Sequence, residues 1–165
     1  MLDTIPLEPP IEPPAIVQRA ALMPGKHTPP TFECFVREAD RHDIDPFVLL
    51  AVLKTENGRP GEVALNANGT EDLGVMSINT VWLRDFARKF GLSEDAVKRK
   101  LASDGCANVA AGAWILGQRI AEANGNIWEG VARYHSRTPA KQIPYLKRVK
   151  ARLQDTLARM RNQEP

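Results

Sequence analysis

Asp45-Pro46-Phe47-Val48-Leu49-Leu50-Ala51-Val52-Leu53-Lys54-Thr55-Glu56-Asn57-Gly58 reads as a helix with both ends marked and a carboxylic acid at its close. Asp45 can accept the free amide hydrogens of a first turn, and Pro46 takes the first helical position, where its missing donor costs nothing. Asn57-Gly58 and then Pro60-Gly61 stop the helix. Leu49, Val52, Leu53 and Glu56 fall at i, i+3, i+4 and i+7, so Glu56 continues the apolar stripe. A carboxyl there is poorly solvated, and the negative end of the helix dipole adds to the cost of ionising it, so its pKa is expected to rise. An acid still protonated near neutral pH is a general-acid candidate. The plainer alternative is a glutamate at a frayed helix end, in solvent or paired with Arg59.

The surrounding pattern is helical from residue 31 onward. Thr31 can cap a helix whose face carries Phe32, Phe35, Val36 and Ala39, broken by His42-Asp43-Ile44-Asp45. After a Gly- and Asn-rich stretch over 57–75, with room for a short hairpin, helices are expected near 80–90, 93–101, 107–123, 127–134 and 140–161. Ser93 with Ala96 lacks the full capping box. Upstream, residues 1–30 hold eight of the thirteen prolines and read as an extended linker, with at most a short turn near 16–22. The expected organisation is therefore a Pro-rich segment over 1–30, a mainly α domain over 31–150 and a basic helix end over 151–165. Lys141, Lys147, Arg148, Lys150, Arg152, Arg159 and Arg161 crowd that last helix, which reads as a solvated face, with contact to an anionic partner or polymer as the sharper alternative.

With 165 residues the chain has room for one domain. A formal net charge of +2 does not argue for nucleic acid and is compatible with an anionic polymer. No run of 18 apolar residues is present, so no membrane span is expected. The residues from Met1 to Pro6 carry neither a basic n-region nor an apolar h-region. That leaves a replaced export signal, another export route or a cytosolic home. Cys34 and Cys106 lie in no metal-like spacing. They are either a disulfide closing a loop of roughly 70 residues, which the chain-entropy model values at about 4 kcal/mol, or two unrelated buried thiols.

Further motifs follow the Glu56 helix in order: Asn68-Gly69-Thr70-Glu71-Asp72-Leu73-Gly74-Val75-Met76-Ser77-Ile78-Asn79, Trp82-Leu83, Cys106-Ala107-Asn108-Val109, Gly112-Ala113-Trp114-Ile115-Leu116 and Ala132-Arg133-Tyr134-His135-Ser136. With Cys34-Phe35 ahead of them, they resemble the soluble lytic transglycosylases, over roughly residues 31–150. The branch that accompanies type IV secretion and conjugation machines looks closest, with relatives among type III secretion and pilus accessory muramidases. The resemblance implies a lysozyme-like, goose-type α domain with a short loop or hairpin insertion. It implies a periplasmic, monomeric enzyme without cofactor or metal that cuts the β-1,4 bond between N-acetylmuramic acid and N-acetylglucosamine in peptidoglycan, with secretion or conjugation components as partners.

On that resemblance Glu56 is the single catalytic acid/base, closing a 1,6-anhydro ring without consuming water. Tyr134 matches a tyrosine that points toward the acid and the substrate acetamido group. Met76 would offer a sugar ring an apolar surface, Asn79 a polar contact, and Asn57, Ser77 and His135 further substrate contacts. Ser77 stands where most relatives carry Gln, Asn57 where they carry Ser, and Tyr134-His135-Ser136 replaces Tyr-Asn-Ala-Gly, which puts efficiency and substrate detail in question. Asp72 reads as a turn-capping residue, and His27, His42 and His135 share no metal spacing. Trp114 is expected in the core, and Trp82 and Trp128 at its edge. The rival readings are a lysozyme-like hydrolase, which keeps Glu56 but uses water, and a non-catalytic peptidoglycan-binding or assembly module.

Overall fold

The computed structural model describes residues 21–162, and the expectations for residues 1–20 and for the last three residues lie outside them. Among the described residues, helices α1 (Phe32–Arg41), α2 (Pro46–Glu56), α3 (Leu83–Phe90), α4 (Glu94–Ser103), α5 (Gly105–Glu122), α6 (Ile127–His135) and α7 (Pro139–Arg161) surround one core. A four-stranded antiparallel sheet, β1 (Ala21–Leu22), β2 (Glu62–Leu65), β3 (Glu71–Leu73) and β4 (Ile78–Asn79), pairs in chain order. The expected mainly α, lysozyme-like architecture is thus the one observed, and the insertion is a small sheet. No helix among the described residues is long and apolar enough to cross a membrane.

The caps form as their side chains predict. Thr31 accepts from the Cys34 amide, Asp45 from those of Phe47 and Val48, and Ser93 from that of Ala96 even without a capping-box partner. Asn57 adopts the left-handed conformation, φ 55°, that closes α2. On α1 the buried face differs from the expected one. Cys34, Phe35, Glu38 and Ala39 are buried, whereas Phe32 is 83% exposed and Val36 lies at the surface. Two faces of this short helix have helical spacing, and the disulfide at Cys34 selects the one that turns inward.

Residues 21–30, the end of the stretch read as linker, are bound to the domain. β1 pairs with β2, the Met23 amide donates to the Gly61 carbonyl at 2.7 Å, and the Thr28 amide to that of Ser103 at 2.8 Å. The helix end beyond residue 150 is also continuous with the rest: α7 buries Val149 and Thr156, and Lys54 Nζ donates to the Thr156 hydroxyl at 2.9 Å.

α5 runs through the centre, with Val109, Ala113 and Leu116 fully buried. Beside them lies Asn108, also fully buried, whose amide nitrogen donates to the carbonyls of Leu73 (2.7 Å) and Leu101 (2.8 Å) while its oxygen accepts from the Met76 amide (2.8 Å). One side chain thereby satisfies three buried main-chain groups, at the end of β3, in the β3–β4 loop and in α4. Replacing Asn108 with Leu, similar in size but unable to bond, is expected to destabilise the fold by about 3 kcal/mol and to lower Tm by ~10 °C, as measured by thermal unfolding.

Cys34 and Cys106, 72 positions apart in the chain, are joined in a disulfide, so the alternative of two unrelated thiols is not the one realised. It ties the N-terminal turn of α1 to that of α5. Thiol titration of the denatured, non-reduced protein is expected to find none, and Cys34→Ala/Cys106→Ala is expected to lose about 4 kcal/mol in a denaturant titration.

Candidate functional site

The α2 stripe reaches the surface at its last member. Leu49 and Val52 are fully buried, Leu53 packs against the core, and Glu56 is half-buried at the floor of an open groove of about 720 Å³. One wall of that groove comes from the sheet, through Asn66, Asn68, Thr70, Asp72 and Asn79; the other comes from α5, α6 and the start of α7.

Burial pushes the Glu56 carboxyl up to about 7. The Tyr145 hydroxyl opposes this by donating to Glu56 Oε1 at 2.5 Å, the negative charge of Asp72 adds to the rise, and Arg148 and Ser77 pull weakly down. Desolvation wins because the apolar end of α2 and the fully buried Tyr145 ring exclude water from one side of the carboxyl.

Tyr145 was not singled out from the sequence, yet it is the residue that holds the acid. It lies 89 residues from Glu56, in a helix whose basic side chains dominate its pattern. Packing of α7 on α2 brings the two together. The signal available was Ile143-Pro144-Tyr145-Leu146, an aromatic interrupting a charged helix just after an internal proline.

Tyr134 lines the groove, and its hydroxyl donates to the Met76 carbonyl at 2.9 Å, not to Glu56. Its role here is to pin the loop that carries Ser77. Burial, then the nearby charge of Glu56, raises its pKa, as both also do for Tyr145, so the two phenols remain donors. Met76 departs from its expected place. It is fully buried, and a Cβ on Gly112 would come within 2.4 Å of its sulfur, so it fills a notch in α5 that only glycine leaves open. The side chain belongs to the core, and only its backbone serves the site.

Ser77 lies in the groove near the acid, with φ 51°, in the left-handed region that non-glycine residues avoid. The Asn108 and Tyr134 bonds to the flanking Met76 backbone hold that conformation. Asn79 is in the groove, donating to the Thr70 hydroxyl (2.9 Å) and to Asp72 Oδ1 (2.8 Å). Asp72 is therefore a strand residue engaged by an amide and does not cap a turn; Asn68 does that, accepting from the Thr70 amide and hydroxyl. Asn57 is exposed at the helix end and is not among the residues lining the groove.

His135 lines the groove and stacks flat on the Tyr145 ring, centroids 4.4 Å apart, so it is both packed and within reach of a ligand. Burial, with Arg148 and Lys141, depresses its pKa, which favours the neutral ring. Trp82 presents an edge to Trp114 and also lines the groove, while Trp114 contacts Phe86. Among the described residues, no group of three or more His, Cys, Asp or Glu side chains is arranged to hold a metal ion.

The sign of the Tyr145 contribution is testable. Its hydrogen bond favours the ionised carboxylate, so Tyr145→Phe is expected to raise the Glu56 pKa further above 7. A step that needs the protonated acid would then keep its rate to higher pH, with the alkaline limb of the profile moved up by about one unit. A 13C carboxyl titration by NMR reads the same shift directly.

The geometry agrees with relationships between this chain and known proteins. The Transglycosylase SLT domain family matches residues 33–155. Invasion protein IagB of Salmonella typhimurium is 31% identical over 117 residues, covering 70% of this chain and 69% of that protein. Protein IpgF of Shigella flexneri is 30% identical over 111 residues, covering 67% of this chain and 69% of its own. Since the matched span takes in α1 to α7, including both the acid on α2 and the tyrosine on α7 that holds it, this chain belongs to the Transglycosylase SLT domain family.

Proposed function

We propose that this protein is a peptidoglycan lytic transglycosylase that cleaves the β-1,4 bond between N-acetylmuramic acid and N-acetylglucosamine and leaves a 1,6-anhydromuramic end. The observation that carries the reading is the Glu56 carboxyl, held near pKa 7 at the floor of a groove open enough for a polymer. Tyr145 engages Oε1, which leaves Oε2 to carry the proton. Oε2 donates that proton to the glycosidic oxygen as the C1–O bond breaks, and the N-acetylglucosamine side departs as an alcohol. The substrate acetamido group stabilises the positive charge at C1. The Glu56 carboxylate then takes the proton of the muramic C6 hydroxyl as its oxygen bonds to C1, which restores the acid and closes the ring without water.

Family membership and the site's single available carboxylate support this reading over a two-carboxylate mechanism. Asp72 is the other acid lining the groove, and Asn79 engages it. The sheet wall supplies amides and hydroxyls suited to sugar hydroxyls, and Ser77 and His135 stand beside the acid as further contacts. A place of action in the periplasm fits both the disulfide and the substrate. Recruitment to a secretion or conjugation apparatus, to open the wall locally, is supported by the resemblance of the motifs and by a relative called an invasion protein.

Mass spectrometry of digested glycan strands is expected to find anhydro ends; reducing ends would make the enzyme a hydrolase. Glu56→Gln is expected to lower kcat by about 10²- to 10⁴-fold with its circular dichroism unchanged. Equal, near-zero activity of native protein and variant would favour a glycan-binding module.

A further inference from the structure

The two walls of the groove differ in charge. The sheet wall offers the neutral groups of Asn66, Asn68, Thr70 and Asn79 and a single acid, Asp72, which Asn79 engages. The helical wall offers Arg119 from α5, Arg133 from α6, Arg137 from the following link and Lys141 from α7. Two acids behind this wall answer its four cations. The Glu122 carboxylate binds Arg119 at 2.6 Å and Arg137 at 3.3 Å, and Glu129 pairs with Arg133. Neither acid lines the groove, and Lys141 has no ion-pair partner among the described residues.

Arg119 has a structural task, since its guanidinium lies over the Trp82 ring at 5.0 Å. Arg137 is held less firmly: its side chain is 75% exposed and meets Glu122, which it shares with Arg119, at 3.3 Å. Lys141 is likewise exposed. The helical wall thus carries about two positive charges more than its own acids answer, and Asp72 across the groove offsets about one of them, so the remaining cation is free to attract an anionic ligand.

We infer, taking the glycan reading above as its basis, that this wall receives carboxylates borne by the muramic acid residue. Their source is either its own lactyl acid or the acids of a peptide joined to it. A strand in the groove would then turn its sugar hydroxyls to the sheet and its lactyl substituents to α5–α7. Neutral polymers of N-acetylglucosamine alone lack that second anchor. Charge complementarity of this kind fixes orientation and discriminates among ligands of one shape.

The test uses the full chain carrying Glu56→Gln, so that bound strands persist, with three probes: chitohexaose, peptide-free muramyl strands with a free lactyl carboxylate, and peptide-bearing strands. Quenching of Trp82 fluorescence or calorimetry gives Kd. At low salt at least one carboxylate-bearing probe is expected to bind several-fold tighter than chitohexaose, and the preference to shrink as ionic strength rises. Arg137→Ala with Lys141→Ala, both exposed and outside the core, is expected to reduce that preference by about two- to fivefold per cation. Whichever carboxylate-bearing probe loses its advantage identifies the source of the carboxylate. Equal affinity for all three probes, or a preference that survives the double variant, would overturn the inference while leaving the glycan reading standing. Failure to bind any of the three would overturn both.

Discussion

Glu56 ends a helix that is apolar on almost every side, and the packing that holds the domain together also withdraws its carboxyl from water. The cost of ionising a half-buried acid would ordinarily be removed by letting the side chain swing into solvent. Here Tyr145 prevents that swing by a hydrogen bond, and His135 backs the tyrosine ring. The acid is held chiefly by that one hydrogen bond, and burial raises its pKa to about 7 against the weaker downward pull of Arg148 and Ser77. α2 and α7 are mutually packed, so the site's chemistry depends on a helix pair that is also a main part of the core.

A second arrangement shapes the groove around that acid. Asn108 reaches across from α5 and binds the loop between β3 and β4, where Gly74, φ +64°, leaves the space that a Cβ would take from the asparagine amide. Tyr134 pins the same loop from α6 through the Met76 carbonyl. With the Met76 side chain locked against Gly112, Ser77 has little freedom left. Its left-handed backbone is sustained by neighbours on both sides, and strain of this kind is commonly found where a side chain must face a ligand.

The helical part of this fold was readable because its signals are local. Asp45 and Pro46 mark the start of α2, Asn57 marks its end, and the stripe from Leu49 to Glu56 predicts which face turns inward. Where the reading departs from the structure, the deciding contact is distant in sequence. Phe32 and Val36 have the spacing of a buried face, but a disulfide to residue 106 turns the other face in. Met76 sits in a motif that suggests a sugar platform, but a glycine 36 positions later receives it as core. The partnership of Tyr145 with Glu56 spans 89 positions and is set by the packing of α7 on α2. Periodicity reports the environment of an element, whereas these features depend on which element packs against which.

The two-residue strand β1 lies along the otherwise open side of β2, and Pro24 follows shortly after it. A sheet margin with free amides and carbonyls is a template on which another molecule can grow a strand. Here Ala21 and Leu22 cover that margin, and the nearby proline has no amide donor to offer a further strand. The sheet that forms one bank of the groove is thereby shielded from strand addition along that margin.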